Sequence, residues 1–253
     1  MIKTRVMAFA VMSVAATSAQ ADEADARQIL ANMAEYLSGQ NTLSFDFDSS
    51  LEIVTTDDQK LTIASSGSVA MERPGKIHTT RRGGFASVEA VYDGTTLSVA
   101  NLSANAYAQV EMAGTVESAV ELLRTKYGHP LPAADLLSPN VAEILMAGVT
   151  DVKDLGSGVI RGEECDHLAF RAPDVDWQIW VSQGESPYPC RYVITSKTIA
   201  GSPQYTLDVS SWGNGSASND FTFTAADGAT KVDPANVPEL DDISGIYVIE
   251  GGN

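Results

Sequence analysis

One stretch of the chain, residues 162–212, constrains the fold more than any other. It holds both cysteines and all three tryptophans, and its apolar and polar residues alternate with a period of two. Trp177, Ile179 and Val181 lie on one side of this alternation, with polar residues between them. Residues with turn geometry interrupt the alternation at 172–175, 184–189 and 200–203. The pattern predicts an antiparallel meander of short strands and contains no evident active site.

The two cysteines, Cys165 and Cys190, are expected to form a disulfide, because the chain also carries an export signal. Strands predicted over 163–171, 176–183 and 189–197 put them on strands separated by a third, about 10 Å apart. That separation exceeds the limit of roughly 7 Å between the Cα atoms of a disulfide. Both cysteines lie at the same end of the meander, however, where prolines can carry the chain over the middle strand. Two buried free thiols are the alternative.

The first 21 residues are typical of a secretory signal peptide. Lys3 and Arg5 precede an apolar run over 6–16, and small residues lead to an expected cleavage after Ala21. The apolar run is far shorter than the roughly 20 residues that span a bilayer, and no later run approaches that length. We therefore expect an exported, soluble protein without a transmembrane span.

The net charge of the chain is strongly negative, at −17. Removal of Lys3 and Arg5 with the signal peptide, which contains no acid, changes this value to −19. An acidic surface repels phosphate backbones, so nucleic-acid binding is excluded as a main function. The basic cluster Lys76, His78, Arg81 and Arg82 is interpreted as a solvated hairpin edge rather than a binding patch.

Residues 22–39 have apolar side chains at helical spacing, and acidic residues crowd the first turn. A helix is predicted over 24–38. The next segment, 43–53, alternates between apolar and polar residues, which indicates a long strand with one buried face. Further strands are predicted over 60–65, 67–72, 75–80, 87–92, 96–100 and 107–111, and a last one within FTFTAADGATKV (221–232).

The periodicity becomes helical between residues 116 and 147, with an interruption at Ser138–Pro139. A helical insertion within a sheet that is apolar on one face predicts a cover over that face. The tail, residues 238–253, is acidic at first and then apolar, and a disordered segment and a late edge strand are the alternatives for it.

Signatures of catalysis are weak. There is no nucleophile elbow, no HExxH and no glycine-rich phosphate loop. Glu163, Cys165 and His167 alternate onto one strand face and offer metal ligands, but a disulfide cysteine and a hydrogen-bonded histidine are the preferred interpretation. Asp174 and Asp176 are interpreted as turn solvation and not as a glycosidase acid pair. We predict no metal, no cofactor and no enzymatic activity.

Several motifs resemble known periplasmic proteins. GSVAMERPGKI (67–77), YDGTTL (92–97) and FTFTAADGAT (221–230) are similar to motifs of LolA-type lipoprotein carriers. CDHLAF (165–170), DVDWQIW (174–180) and SPQYT (202–206) resemble more closely an uncharacterised family of predicted bacterial periplasmic proteins in the same superfamily. The resemblance covers 25–232. It implies a mainly β fold, an open antiparallel half-barrel (LolA-like) over residues 22–237, covered by a helical lid.

In those carriers the arginine before the proline holds the lid closed, and Arg73 occupies that place here; a surface strand arginine is the alternative. The implied function is non-enzymatic binding or carriage of an apolar ligand, a lipid or acylated protein, in the periplasm. There are two alternatives. The first is a protein-interaction or envelope-stress sensor module with an envelope protein as its partner. The second is a hydrolase that uses Asp174, Asp176 or His167. The pocket residues are expected to be Phe45, Phe47, Leu51, Val69, Met71, Leu122, Leu123, Leu136 and Leu137.

Overall fold

The computed structural model describes residues 23–129, 131–237 and Leu240. The predicted signal peptide, residues 1–21, and all of the tail from 238 onward except Leu240 lie outside these residues. None of the helices in the described part of the chain combines the length and the apolar character that crossing a membrane requires.

Twelve strands within the described residues form one open sheet, with β7 and β12 at its two edges. The expectation was ten or eleven strands. Neighbouring strands are antiparallel, except that β12 pairs with β6 in parallel. The predicted fold class, an open antiparallel half-barrel with helices, is confirmed. The strands are β1 (Thr42–Val54), β2 (Lys60–Glu72), β3 (Lys76–Gly83), β4 (Ser87–Tyr92), β5 (Thr96–Asn101), β6 (Ala106–Glu111), β7 (Asp151–Ile160), β8 (Glu163–Arg171), β9 (Val175–Ser182), β10 (Pro189–Ser196), β11 (Gln204–Ser210) and β12 (Thr230–Lys231). Their order in the sheet is β12-β6-β5-β4-β3-β2-β1-β11-β10-β9-β8-β7.

Helix α1 (Glu23–Gly39) buries one apolar stripe against β7 and β9. Its inward residues are Ala26, Leu30, Met33, Ala34 and Leu37, which recur at helical spacing. The helix confirms the prediction and covers one half of the concave face.

The predicted helical segment over 116–147 is three short helices. They are α2 (Val116–Lys126), a 3₁₀ helix (Ala134–Leu137) and α3 (Val141–Met146). Helix α3 packs beside α1, whereas α2 buries Val116 and Ala119 in the core. We use "the cover" for residues 116–129 and 131–137, which lie over the other half of the concave face.

Strand β2 corrects one prediction. The segments 60–65 and 67–72 were predicted to be two separate strands. They form one strand, paired with β1 from Val54↔Lys60 to Thr42↔Glu72. A Cβ atom at Gly67 would lie 2.4 Å from the Phe47 ring and 2.1 Å from the Thr80 carbonyl oxygen. Glycine therefore lets the Phe47 ring lie close over the strand.

Two further strands differ from the prediction. Strand β7 was not predicted, because its sequence, DVKDLGSGVI, mixes charges and glycines and its pairing with β8 is irregular between Asp154 and Ser157. The FTFT segment (221–224) is not a strand, and only Thr230–Lys231 pairs with the sheet. Residues 216–229 instead cross the outer face from β1 to β6 and are held by contacts between side chains and backbone.

The disulfide between Cys165 and Cys190 is present, with 6.9 Å between the Cα atoms. It joins β8 to β10 across the end of β9, where the pairing register shifts between Pro189 and Arg191. This irregularity brings the two outer strands closer than regular strand spacing allows, as the positions of the prolines predicted.

Candidate functional site

The candidate site is an apolar cavity between the concave face of the sheet and the cover. Its volume is about 340 Å³, which lies within the range of small-ligand pockets. Strands β1 to β5 and β11 form its floor, and the cover forms its roof. The cavity lies beside the half of the sheet that α1 and α3 fill, so it is the part of the concave face that the protein leaves unfilled.

The floor of the cavity follows from strand alternation. Phe45, Phe47 and Leu51 on β1 point inward, while the acids between them, Asp46 and Asp48, point outward. The neighbouring strands add Val69, Ile77, Val99 and Leu207. Since each strand presents one apolar face, the curved sheet forms a continuous apolar surface.

The roof of the cavity is the inner stripe of α2 and the segment that follows it. Val116, Ala119, Val120 and Leu123 have the spacing i, i+3, i+4, i+7 and all line the cavity. Thr115 begins the helix with a capping box: its hydroxyl accepts from the Ser118 N–H, and the Ser118 hydroxyl accepts from the Thr115 N–H. The first turn of the helix is therefore capped by its own residues.

Arg73 connects three segments around the edge of the cavity. Its Nε donates to the Gln40 carbonyl (3.2 Å), its Nη1 to the Glu117 carboxylate (3.2 Å) and its Nη2 to the Leu137 carbonyl (2.8 Å). The arginine side chain is only 14% exposed. One guanidinium thus joins the chain after α1, the first turn of α2 and the end of the 3₁₀ helix.

The first turn of α2 has a second attachment at the same place. The Val116 N–H donates to the Pro74 carbonyl at 2.9 Å. The far end of the cover has an ion pair between Arg124 and Asp135 at 3.1 Å, which joins α2 to the 3₁₀ helix within the cover, and both side chains are partly exposed. The polar attachments of the cover therefore concentrate at Arg73 and Pro74.

Most of the predicted pocket residues line the cavity, but two do not. The lining includes Phe45, Phe47, Leu51, Val69, Leu123, Leu136 and Leu137. Met71 shares the inward face of β2 but is 1% exposed and fully enclosed in the core. Leu122 lies outside the inner stripe of α2, since the helix turns about 100° per residue.

Sequence reasoning missed the contribution of β11 and the residue after it. Tyr205, Leu207 and Val209 alternate with polar residues, which is the signal that could have placed them on the floor. Trp212 also lines the cavity, with its ring between those of Phe45 and Tyr188, at centroid distances of 5.4 and 5.0 Å.

The aromatic wall around Trp212 is fixed by polar contacts at its outer side. Trp212 Nε1 donates to the Tyr36 hydroxyl at 3.1 Å, and the Tyr188 hydroxyl donates to Glu163 at 2.6 Å. Burial, followed by this hydrogen bond and the Glu163 charge, raises the pKa of Tyr188 to about 12. Tyr188 is therefore neutral at physiological pH.

The residues considered for catalysis have structural partners. Cys165 is bonded to Cys190, so the Glu163, Cys165 and His167 set has no thiolate to offer a metal. His167 Nε2 lies 2.9 Å from the Gln178 side-chain oxygen, and its ring stacks on Trp180. Cys165 and His167 therefore both have structural partners within the sheet.

The two acids considered for glycosidic chemistry, Asp174 and Asp176, have different contacts. Asp176 lies 3.3 Å from Lys197 and 3.6 Å from Arg171. Asp174 accepts a backbone hydrogen bond from Lys197 through its carbonyl oxygen. Two cations therefore hold Asp176 at the end of the β8–β9 hairpin.

The fold is similar to several solved structures. LprF from Mycobacterium bovis is 12% identical, with a TM-score of 0.47, over 81% of this chain and 98% of that one. Lipoprotein LppX from Mycobacterium tuberculosis is 14% identical, with a TM-score of 0.38, over 81% and 100%. A LolA superfamily protein from Nitrosomonas europaea is 14% identical, with a TM-score of 0.31, over 74% and 92%.

No curated protein matches the chain. One protein family does, over residues 26–234, and it is described as predicted periplasmic protein (DUF2092). The match covers most of the chain, agrees with the resemblance of its motifs and places the protein in the periplasm. The chain therefore belongs to the DUF2092 family of predicted periplasmic proteins.

Proposed function

We propose that the protein binds and carries an apolar ligand, a lipid or the acyl chain of an acylated protein, in its covered cavity and without a chemical step. The observation that supports this most directly is the cavity itself. It is lined almost entirely by aliphatic and aromatic side chains, although nearby parts of the same sheet are packed by α1 and α3.

Hydrophobic burial supplies the driving force for this binding. Each methylene group moved from water into such a cavity contributes about 0.8 kcal/mol. Because immobilising a ligand costs several kcal/mol, a chain of many methylenes is needed before binding becomes favourable. An extended acyl chain meets that requirement, and small polar metabolites do not.

The ligand enters, in this proposal, by displacement of the cover. The sheet is continuous and hydrogen-bonded, whereas α2 is held by its inner apolar stripe, with Val116 and Ala119 buried, and by polar bonds at Arg73 and Pro74. Arg73 is the latch in this proposal, because its hydrogen bonds join the cover to the end of β2. Opening the cover breaks the polar bonds at Arg73 and Pro74 and exposes the inner stripe of α2, and it leaves the strand pairing of the sheet intact.

A fluorescence titration with 1-N-phenylnaphthylamine, an uncharged apolar probe, tests the proposal. Ala90→Phe fills the cavity from its floor, because Ala90 on β4 lines the cavity. Ala64→Phe is the matched control: Ala64 is exposed and pairs with Ser50 on the outer side of the same sheet. We expect saturable binding that Ala90→Phe abolishes and Ala64→Phe preserves. Absence of saturable binding, or equal binding by all three proteins, would contradict the proposal.

A further inference from the structure

The hydroxyl of Thr79, on the floor of the cavity, has no hydrogen-bond partner among the described residues. Thr79 lies between Ile77 and Arg81 on the inward face of β3. Its neighbours across the strands are Val69 on β2 and Ala90 on β4, and both also line the cavity. Thr79 therefore places a polar group within an aliphatic part of the floor.

Two other hydroxyl-bearing residues of the lining have partners within the sheet. Ser49 Oγ lies 2.8 Å from Ser65 Oγ, and Thr80 Oγ1 lies 2.8 Å from Ser68 Oγ. Buried polar groups are satisfied in this way in most proteins. Thr79 differs from both residues, because its hydroxyl contributes to no such pair.

The Thr79 hydroxyl is open to the cavity and is not sealed within the core. In the described part of the chain, the side-chain polar atoms that are fully buried without a hydrogen bond are His78 Nδ1 and Asp176 Oδ1. The Thr79 oxygen is not one of them, although it has no partner. It is therefore accessible from the space that Thr79 lines, and a ligand in the cavity can reach it.

Arg81 lies two positions further along the same face and lines the cavity as well. Its Nη2 donates to the carbonyl oxygen of Leu240, so this guanidinium is already bound within the protein. The next residue, Arg82, is exposed on the outer face. The interpretation of the basic cluster as a solvated edge is therefore wrong for Arg81 and holds for Arg82. The polar group that the inward face of β3 offers to a ligand is the neutral hydroxyl of Thr79.

We propose that Thr79 binds a neutral oxygen of the ligand, an ester carbonyl or a hydroxyl, while the alkyl chain of the same ligand lies along the apolar lining. This inference rests on the proposed function. It adds that an ester or alcohol is preferred over a hydrocarbon of the same chain length.

The chemistry of the hydroxyl supports this preference. A threonine hydroxyl donates one hydrogen bond and can also accept, so it suits an ester carbonyl or an alcohol. Covering a polar group without giving it a hydrogen bond costs free energy. A ligand oxygen at Thr79 removes that cost, whereas a hydrocarbon leaves the hydroxyl without water and without a partner. An ionised headgroup would need a charged partner, which a hydroxyl does not supply.

The test compares 1-decanol, methyl decanoate and decane as competitors of 1-N-phenylnaphthylamine on the full chain. Thr79→Val removes the hydroxyl and keeps the branched shape, and Thr79→Ser keeps the hydroxyl. Thr62→Val is the matched control, because Thr62 is exposed and pairs with Glu52 on the outer side of β2. We expect Thr79→Val to weaken decanol, methyl decanoate or both by about three- to tenfold and to leave decane unchanged. Thr79→Ser and Thr62→Val should bind all three competitors as the wild type does.

The outcomes separate this inference from the proposed function. If the competitors bind and Thr79→Val weakens none of them, or weakens decane as much as the others, the hydrogen-bonding site is wrong and the apolar cavity remains supported. If Thr79→Ser weakens the same ligands as much as Thr79→Val, the effect comes from packing and the site is again wrong. If neither the probe nor any competitor binds, the proposed function fails, and the site fails with it.

The two oxygen-bearing competitors also identify the group that Thr79 binds. A response of decanol alone assigns the site to a hydroxyl, and a response of methyl decanoate alone assigns it to an ester carbonyl. Unchanged affinity for decane shows that Thr79→Val is folded and retains its cavity.

Discussion

Arg73 donates a hydrogen bond of 2.8 Å from its Nη2 to the carbonyl oxygen of Leu137, and this bond joins the end of β2 to the end of the cover. The two residues are separated by 64 positions in the chain. A carbonyl at the end of a short helix has no partner within that helix, so an arginine donor satisfies a group that would otherwise require water.

Replacement of Arg73 by Leu should raise the open fraction of the cover. The change keeps much of the stem and removes the hydrogen bonds to Gln40, Glu117 and Leu137. A hydrogen bond from a charged group contributes roughly 1.5–3 kcal/mol, so the closed-to-open ratio should fall by about ten- to a hundredfold. Hydrogen exchange over residues 116–129 and 131–137 measures this change directly.

Arg82→Leu is the control for that experiment, because Arg82 is exposed on the outer face of β3, the side of the sheet opposite the cover. It should leave exchange in the cover unchanged. If Arg73→Leu also leaves exchange and ligand release unchanged, Arg73 is a structural strand residue and not a latch.

Gly67→Ala should destabilise the protein and distort the floor of the cavity. The added Cβ would lie 2.1 Å from the Thr80 carbonyl oxygen and 2.4 Å from the Phe47 ring, so β2, β3 or Phe47 must move. Overpacking of this kind typically costs about 1–3 kcal/mol. Urea unfolding measures the cost, and Gly84→Ala, where nothing lies within 4 Å of the new atom, is the control. Equal stabilities of the two variants would show that the strands relax freely.

The strand pattern and its limits show how much of this fold can be predicted from the sequence. The alternation of apolar and polar residues identified β1 and the meander, because their strands have one buried face. This pattern can be recognised without knowing which strands pair with one another. Strand β7 escaped because an edge strand with an irregular register does not alternate cleanly. FTFT alternates but crosses the outer face, where the backbone groups of the sheet already pair with one another.

The cavity lining could be predicted where it follows from the periodicity of a single strand or helix. Inward positions on β1 and on the cover follow from periodicity, and seven of the expected residues line the cavity. Arg81 could not be assigned from the sequence, because its inward orientation depends on the register of β3 between Gly67 and Val88. Leu122 was included wrongly, since the helical stripe could be placed only to within one residue.

Reduction of the Cys165–Cys190 disulfide should lower the free energy of unfolding. The bond closes a loop with a sequence separation of 25, for which the chain-entropy model gives a stabilisation of roughly 3.5 kcal/mol. The double variant Cys165→Ser/Cys190→Ser should therefore unfold at a lower urea concentration than the oxidised protein. Adding a reductant should shift the wild-type transition toward the variant and leave the variant unaffected. A wild-type transition that the reductant does not move would contradict this account.

Acid should weaken the attachment of residues 211–218 to β1 through Asp46. Burial by itself would raise the pKa of this carboxyl, but hydrogen bonds from the Ser216 hydroxyl (2.6 Å) and backbone N–H (2.7 Å) hold its pKa below the ordinary value. The resulting stabilisation is present above the unfolded pKa of about 3.9 and is lost as the pH falls through the lower folded pKa.

Asp46→Asn removes the charge that these hydrogen bonds favour. The variant should be less stable at pH 7 by about 1 kcal/mol, and its stability should decrease less between pH 4 and pH 2. Urea unfolding across that range, compared with wild type, measures both effects. Parallel pH profiles for the two proteins would show that Asp46 contributes nothing to the acid dependence.

The most direct test of the central claim is native mass spectrometry of the protein purified from the periplasm of its own cells, before and after delipidation. The account predicts a bound mass that fits one apolar chain, its loss on delipidation, and its absence from protein carrying Ala90→Phe but not Ala64→Phe. Protein that is consistently empty, and that emerges instead with a stoichiometric protein partner, would contradict the carrier account and favour an interaction module.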